Sequence, residues 1–65
     1  MDLSKFYYKR VRILDIHGSI TIGKVNDYCY PEDNENEKES IIVDCELTKI
    51  PFEFCEDNIA TIDIL

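Results

Sequence analysis

Three cysteines and a single histidine are the residues of this chain best suited to bind a metal ion. The cysteines are Cys29, Cys45 and Cys55. Together with His17 they would supply the three thiolates and one imidazole that zinc accepts. None of the cysteines forms a C-x-x-C pair, although structural zinc sites nearly always have paired ligands at short spacing. We therefore predict free thiols without a disulfide, no bound metal or cofactor, and a solvated His17 in a turn.

A run of acidic and amide side chains extends from Glu32 to Glu39. Its oxygen atoms could bind calcium, but the run lacks the glycine and the ligand spacing of an EF-hand loop. Paired carboxylates can also act as a general acid and base, provided that they lie in a concave and partly dry site. Because so short a chain has little room for such a site, we expect a solvated loop, no small-molecule substrate and no enzymatic activity.

Basic and aromatic residues are mixed near the start of the chain, in the segment Lys5–Arg10 and at Arg12. This combination is typical of proteins that bind single-stranded nucleic acid by phosphate pairing and base stacking. The alternative is that Phe6 and Tyr7 pack into the core while the bases pair with nearby acids. Both interpretations remain open from the sequence.

Charge is distributed unevenly along the chain. Residues 1–26 carry five bases and two acids, a net charge of +3, and residues 27–65 carry two bases and twelve acids, a net charge of −10. Such asymmetry can mark a nucleic-acid face or head-to-tail self-association. It can also vanish if the fold intermixes the two segments.

Length and composition limit the classes of protein that this chain can represent. Its 65 residues allow one domain, residues 1–65, with a small core. The apolar fraction of 45% is too high for a disordered acidic polypeptide. No apolar stretch approaches the ~20 residues that span a bilayer, and the polar start lacks the apolar segment of a signal peptide. We therefore expect a cytoplasmic protein without membrane partners.

The pattern of apolar residues predicts one short helix followed by five strands. Asp2 could cap a helix that runs to about Tyr8, with Leu3, Phe6 and Tyr7 on one face. Period-two alternation then predicts strands at 9–16, 20–30, 40–47, 50–54 and 59–65. In the last three strands we expect the inward side chains to be Ile41, Val43, Cys45 and Leu47, then Phe52 and Phe54, then Ala60, Ile62 and Ile64.

Glycine and proline refine these elements. Gly18 suits the first turn, because it is free to adopt positive φ. Val25 is out of step with Ile20 and Ile22, so we predict a bulge or sharp bend at the intervening Gly23. Pro51 suits the start of a strand or a sheet edge. Five short strands with tight turns favour an all-β fold, a small and strongly bent antiparallel barrel.

The segment 11–34 resembles the first motif of the Sm-like (LSm) family, whose members are SH3-like small barrels. The matching residues are Val11, Ile13, Gly18, Gly23, Val25 and Tyr28. The order of a short N-terminal helix and five strands is similar as well. The resemblance implies a bent five-stranded barrel that often forms rings, with the fourth strand of one subunit pairing with the fifth strand of the next. Many members bind single-stranded RNA in the pore of the ring.

The residues that bind RNA in the family carry over only in part. Cys29 stands where the family has an Asp, and Asp33 stands where it has an Asn, unless the loop is one residue longer and Asn34 takes that role. The turn Glu56-Asp57-Asn58 occupies the place of a basic-Gly turn. Acids at that turn oppose the nucleic-acid backbone.

The sequence supports three hypotheses for function. The first is a non-catalytic protein-interaction or self-assembly module, which pairs along the last strand and forms a homo-oligomer. Its candidate edge residues are Ile59, Thr61, Asp63 and Leu65. The second is binding of single-stranded RNA. Its candidate residues are Tyr28, Asn34, Lys9, Arg10 and Arg12. The third is an acidic decoy, in which residues 32–39 take the place of phosphates and inhibit a nucleic-acid-binding protein.

Overall fold

A single five-stranded antiparallel sheet makes up most of the molecule. The computed structural model describes all residues, 1–65. The strands are β1 (Arg10–Asp15), β2 (Ile20–Cys29), β3 (Ser40–Cys45), β4 (Pro51–Cys55) and β5 (Ile59–Ile64). Their order in the sheet is β4-β3-β2-β1-β5, so that β4 and β5 are its edges and the sheet is not closed. The prediction of an all-β fold with five antiparallel strands is confirmed, whereas the strongly bent barrel stays a prediction because the sheet is open. Each strand begins and ends within two residues of its expected bounds.

The core lies against one face of the sheet, which we call the inner face. Its eight buried residues are Leu3, Phe6, Val11, Ile13, Val25, Ile41, Val43 and Ile59. The partly buried side chains of Tyr28, Phe54 and Ile62 pack around this cluster. Alternation along the strands places Arg12, Ile22 and Ile42 on the opposite, outer face. Five of the eight buried residues come from β1, β2 and β3, and only Ile59 comes from an edge strand. The centre of the sheet is therefore better covered than its edges.

The predicted N-terminal helix is only one 3₁₀ turn, Ser4–Phe6. Asp2 begins the turn by accepting hydrogen bonds from the Ser4 amide at 3.1 Å and the Ser4 hydroxyl at 2.5 Å. The helix cannot continue, because Tyr8 adopts a φ of +62° and donates its amide to the Val25 carbonyl at 2.8 Å. Pairing with β2 therefore replaces the next helical turn. The prediction is also wrong for Tyr7, which is exposed while Phe6 is buried.

Gly23 is required for close strand packing, and of the two predicted alternatives, a bulge or a sharp bend, the strand register rules out the bulge. The ladder runs unbroken through it, pairing Gly23 with Val11 on one side and with Cys45 on the other. A Cβ atom at this position would overlap the main-chain carbonyl of Asp44. The bulge lies at Asn26, which has no partner between the pairs Val25–Val43 and Asp27–Ile42. Val25 differs from Ile20 and Ile22 simply because it faces inward.

A second bulge falls in β5, where Ala60 is the unpaired residue between Ile59 and Thr61. The extra residue turns Ile59 into the core and leaves Ala60 exposed, contrary to the predicted inward Ala60. Leu47, expected to continue the buried face of the third strand, lies beyond the end of β3 and is exposed.

The turn between β1 and β2 has the predicted geometry. Gly18 adopts a φ of +88°, and the Asp15 side chain accepts hydrogen bonds from the amides of His17 at 2.9 Å and Ser19 at 3.0 Å. None of the helical segments has the length and apolarity that a transmembrane helix needs.

Candidate functional site

Strand β4 leaves one side of its main chain free. The sheet pairs it only with β3, and two hydrogen bonds fix the alternation of its amides. Cys45 donates to the Ile50 carbonyl at 3.3 Å and Glu56 donates to the Glu39 carbonyl at 3.0 Å. Antiparallel alternation then directs the amides of Glu53 and Cys55 away from β3. Pro51 stands first in this edge strand, as predicted, and provides no donor there.

Strand β5 is free on the side away from β1. Leu65 donates its amide to the Arg10 carbonyl at 2.9 Å, which places the amides of Thr61 and Asp63 toward β1 as well. The amides of Ile62 and Ile64 are therefore the ones that point to the free side. Among the four predicted edge residues, Ile59 has a buried side chain, whereas Thr61, Asp63 and Leu65 have exposed side chains.

Large apolar side chains are exposed along both edges. Phe52 on β4 is 43% exposed, although its cross-strand partner Val43 is fully buried. Ile64 on β5 is 54% exposed, although its partner Val11 is fully buried. Sequence alternation identified the inner face for Phe52 but could not reveal that nothing covers it. The two edges thus combine unpaired main-chain groups with exposed apolar area, which is the chemistry of strand-to-strand association.

The five residues predicted to bind RNA do not share one surface. Arg10 and Arg12 lie on the outer face of β1, whereas Tyr28 pairs with Ile41 on the inner face. Tyr28 donates its hydroxyl to Glu39 at 3.2 Å.

The other two predicted RNA contacts also lie apart from each other. Asn34 donates its side-chain amide to the Lys38 carbonyl at 2.6 Å and to the Ser40 hydroxyl at 3.3 Å, so it closes the acidic loop. Lys9 is exposed just before β1.

Arg10 is engaged by an acid. Its guanidinium donates to both carboxylate oxygens of Glu46, at 2.5 Å and 3.0 Å. The hydrogen bond from Arg10 lowers the pKa of Glu46 and, reciprocally, Glu46 raises the pKa of Arg10. A phosphate would have to displace this bidentate carboxylate, which makes Arg10 a poorer phosphate ligand than an unpaired arginine.

Strand order also intermixes the two charged segments of the sequence. Strand β1, from the basic segment, lies beside β5, from the acidic segment, with Arg12 directly opposite Asp63. The N-terminal amine of Met1, in the first segment, also lies 3.8 Å from the Glu56 carboxylate, in the second. The sequence asymmetry therefore does not translate into one basic and one acidic half of the molecule.

The acidic loop is fixed by polar contacts in place of apolar ones. Glu39 accepts a hydrogen bond from the Leu3 amide with one oxygen and from the Tyr28 hydroxyl with the other. Ser40, which is buried, donates to Glu53 at 2.8 Å. Asn36 donates to the Cys55 sulfur at 3.4 Å. These bonds hold the loop against β3 and β4, while Glu32, Asp33, Glu35 and Glu37 are exposed.

The residues considered for zinc binding are dispersed. Cys29 and Cys55 both pair with Ser40, from strands on opposite sides of β3. Cys45 lies toward the other end of β3, and hydrogen bonds from the Thr48 main chain and hydroxyl lower the pKa of its thiol. All three cysteines are free, His17 is exposed in its turn, and no three His, Cys, Asp or Glu side chains are grouped to hold a metal ion.

Comparison of the chain with protein-family models, with curated proteins and with solved structures gives no match. The resemblance to Sm-like proteins therefore stays a prediction from the sequence, based on the motif residues and the order of the elements.

Proposed function

We propose that this chain is a non-catalytic, Sm-like small barrel that assembles with further copies of itself, the β4 edge of one copy pairing with the β5 edge of the next. The proposal is carried by one observation: both edges of an open five-stranded sheet present unpaired main-chain groups and exposed apolar side chains. The strand order and the motif residues of β1 and β2 are consistent with it.

Main-chain complementarity supports pairing between these two edges. On β4, Glu53 and Cys55 offer amides and carbonyls, and on β5, Ile62 and Ile64 offer the same groups. Addition of a strand to an exposed edge satisfies such groups without any change in the existing ladder. Because β4 and β5 are different surfaces, the contact is head-to-tail and leads either to a closed ring or to a filament.

Burial of apolar area supplies the driving force. Only 11 of the 65 residues are buried in the single chain, and small domains commonly gain stability by oligomerisation. An ordinary interface takes about 800 Å² from each partner, so two such faces would cover more than a third of the 4270 Å² surface. Phe52, Ile64 and Leu65 would be among the side chains removed from water.

Charge sets the expected dependence of assembly on salt. Glu53 on β4 and Asp63 on β5 carry the same sign, and the whole chain has a net charge of −7. Self-association of like-charged copies is opposed by repulsion that salt screens. We therefore expect assembly to strengthen as salt is added. Binding of RNA would weaken over the same range.

The test is multi-angle light scattering after size-exclusion chromatography, performed over a range of concentrations. We expect the wild-type chain to elute as an oligomer and Ile64→Lys and Phe52→Lys to elute as monomers, since each places a charge at an apolar edge position. Leu47→Lys is the matched control, because Leu47 is 90% exposed but lies in the turn between β3 and β4. It should assemble like the wild type.

A wild-type chain that stays monomeric at millimolar concentration would contradict the proposal. So would an oligomer that survives both edge substitutions, since a different surface would then hold it together. Far-UV circular dichroism of each variant establishes that the monomers remain folded.

A further inference from the structure

A cavity of about 300 Å³ opens where the N-terminal turn meets the end of β2. Its lining consists of Ser4, Tyr7, Asp27, Tyr28 and Tyr30. Three aromatic rings and one carboxylate thus surround it, and no basic residue belongs to the lining. The volume is at the lower end of the range of ligand sites, ~300–1,000 Å³. Because the cavity involves neither β4 nor β5, a ligand could bind there whether or not the chain assembles through those strands.

Two of the rings form a preorganised wall. Tyr28 and Tyr30 meet edge to face, with ring centroids 5.0 Å apart and an interplanar angle of 83°. Tyr28 packs against the core, and its hydroxyl is held by Glu39. Partial burial, followed by the charge of Glu39, raises the pKa of Tyr28, which favours the neutral hydroxyl. Tyr30 is 56% exposed and forms the outer part of the wall.

The third ring is positioned by an unusual main-chain conformation. Tyr8 adopts a φ of +62°, which side-chain-bearing residues rarely occupy. Its amide bonds to Val25 and thereby anchors the conformation. Tyr7 stacks on Tyr8, with centroids 4.1 Å apart and planes at 23°. The N-terminal turn thus presents Tyr7 to the cavity instead of burying it with Phe6.

Carboxylates act on the tyrosines that line the cavity. Asp27 is exposed and accepts a hydrogen bond from the Tyr28 amide at 2.8 Å. The pKa of Tyr7 is raised by its hydrogen bond with Tyr8, by partial burial and, further, by the charge of Asp27. Asp2 adds to the effect of Glu39 on Tyr28. Carboxylates and the negative faces of aromatic rings both attract cations.

The same aromatic cluster already attracts one ammonium group of the chain. The Lys24 Nζ atom lies 5.2 Å from the centroid of Tyr8, the ring on which Tyr7 stacks. A nucleobase could also stack on these tyrosines, but its phosphate would approach Asp27, Asp2 and Glu39. The ring faces and the charges therefore favour a cation over a nucleotide.

We propose that this tyrosine–aspartate cavity binds an alkylammonium group, namely the head of a lysine or methylated lysine side chain on a partner polypeptide. The rings of Tyr7, Tyr28 and Tyr30 provide cation–π contacts, and Asp27 neutralises the charge at the rim. This assigns a second surface to the protein, in addition to the strand edges.

The test is an NMR titration of the full chain with tetramethylammonium chloride, at constant ionic strength. Neopentyl alcohol, which has a similarly branched carbon skeleton without the charge, is the matched control ligand. We expect saturable shifts of the Tyr7, Tyr28 and Tyr30 ring resonances with the cation and not with the alcohol. Equal shifts with both ligands, or no shift with the cation, would overturn the proposal.

Two substitutions locate the site. Tyr30→Leu keeps an apolar side chain but removes a π face, and we expect the affinity for tetramethylammonium to fall about two- to fivefold. Asp27→Asn keeps a hydrogen-bond acceptor but removes the charge, with a similar expected loss. Asp33→Asn, an exposed acid outside the cavity, should leave the affinity unchanged.

A titration with uridine monophosphate distinguishes a cation site from a nucleobase site. We expect no saturable change of the three rings. If the nucleotide shifts them more strongly than the cation does, or if the Tyr30 and Asp27 variants bind the cation like the wild type, the proposed site is wrong. The chemical-shift dispersion of each variant shows whether it is folded.

Discussion

The three central strands and the two edge strands have the same alternating sequence pattern but differ sharply in burial. In β1, β2 and β3 the inward side chains of Val11, Val25 and Val43 are fully buried. In β4 and β5 the inward side chains of Phe52 and Ile64 are about half exposed, although each lies directly opposite a buried partner. The pattern therefore determines the face on which a side chain lies, whereas burial depends on what covers that face.

The covering of the central strands comes from the N-terminal turn. Leu3 and Phe6 are buried over the inner face, and the Glu39 carboxylate ties the Leu3 amide to the start of β3. No equivalent segment lies over Phe52 or Ile64. We infer that the centre provides the stability of the single chain, while the edges provide the surface for association.

The largest effect that we predict tests the close packing at the centre. Gly23→Ala places a Cβ atom against the main-chain carbonyl of Asp44, which cannot rotate away as a side chain would. Overpacking costs ~1–3 kcal/mol, and occasionally more. We expect a loss of about 3 kcal/mol in the free energy of unfolding, measured by urea denaturation.

Gly18→Ala is the control for that substitution. Gly18 has open space around its Cα, but its φ of +88° is strained for alanine. The expected loss is about 1 kcal/mol, the scale of a conformational penalty without a clash. Equal losses for the two variants would show that strand approach at Gly23 is not tight.

Truncation of one aliphatic residue in each region sharpens the comparison. Ile13→Ala removes a fully buried side chain of β1, and we expect it to lower the free energy of unfolding by ~2–5 kcal/mol. Ile64→Ala should cost the monomer less than about 1 kcal/mol, since the side chain is already half hydrated. Chemical denaturation at low protein concentration measures both.

The same two substitutions distinguish effects on the folding of the single chain from effects on its self-association. At high concentration Ile64→Ala should weaken oligomers, whereas Ile13→Ala should act mainly through the folded fraction. If Ile64→Ala destabilises the dilute chain as much as Ile13→Ala does, then the edge is part of the monomer core and the distinction between the two regions fails.

The strands are well predicted from the sequence, because apolar and polar residues alternate with a period of two along a strand that has one buried face. All five strands follow from that local signal, and the turn at Gly18 follows from the freedom of glycine to adopt positive φ. The degree of burial of each strand cannot be predicted from this local pattern, since it depends on segments that are distant in the sequence. The predicted helix fails at Tyr8 for the same reason: a long-range hydrogen bond to Val25 competes with local helix propensity.

The candidate sites were harder to predict than the strands. The edges depend on strand order, in particular on the return of β5 to β1, which alternation cannot reveal. The tyrosine–aspartate cavity brings Tyr7 to Tyr28 and Tyr30, which are distant from it in the sequence. A run of aromatic residues at both places was the only local signal. Bulges such as Asn26 leave no distinct mark in the residue pattern, although they decide which side chains face inward.

The smallest predicted effect concerns charge on the outer face of the centre. The hydrogen bond from Arg10 depresses the pKa of Glu46 below its ordinary value of 4.5. In the unfolded chain this bond is absent, so the unfolded carboxyl binds protons at a higher pH than the folded one does. The pair therefore contributes to stability above the unfolded pKa, and this contribution is lost as the pH falls through the folded pKa.

Glu46→Gln should therefore flatten the acid limb of the stability curve slightly, over roughly pH 5 to pH 3. Because the pair is exposed, the difference from the wild type should be small and should shrink further in high salt. Thermal unfolding at a series of pH values measures it. Glu32→Gln controls for the loss of one negative charge, since Glu32 is exposed in the loop between β2 and β3. If both variants parallel the wild-type curve, the Arg10–Glu46 contact adds nothing to the central strands, and their advantage over the edges rests on apolar burial alone.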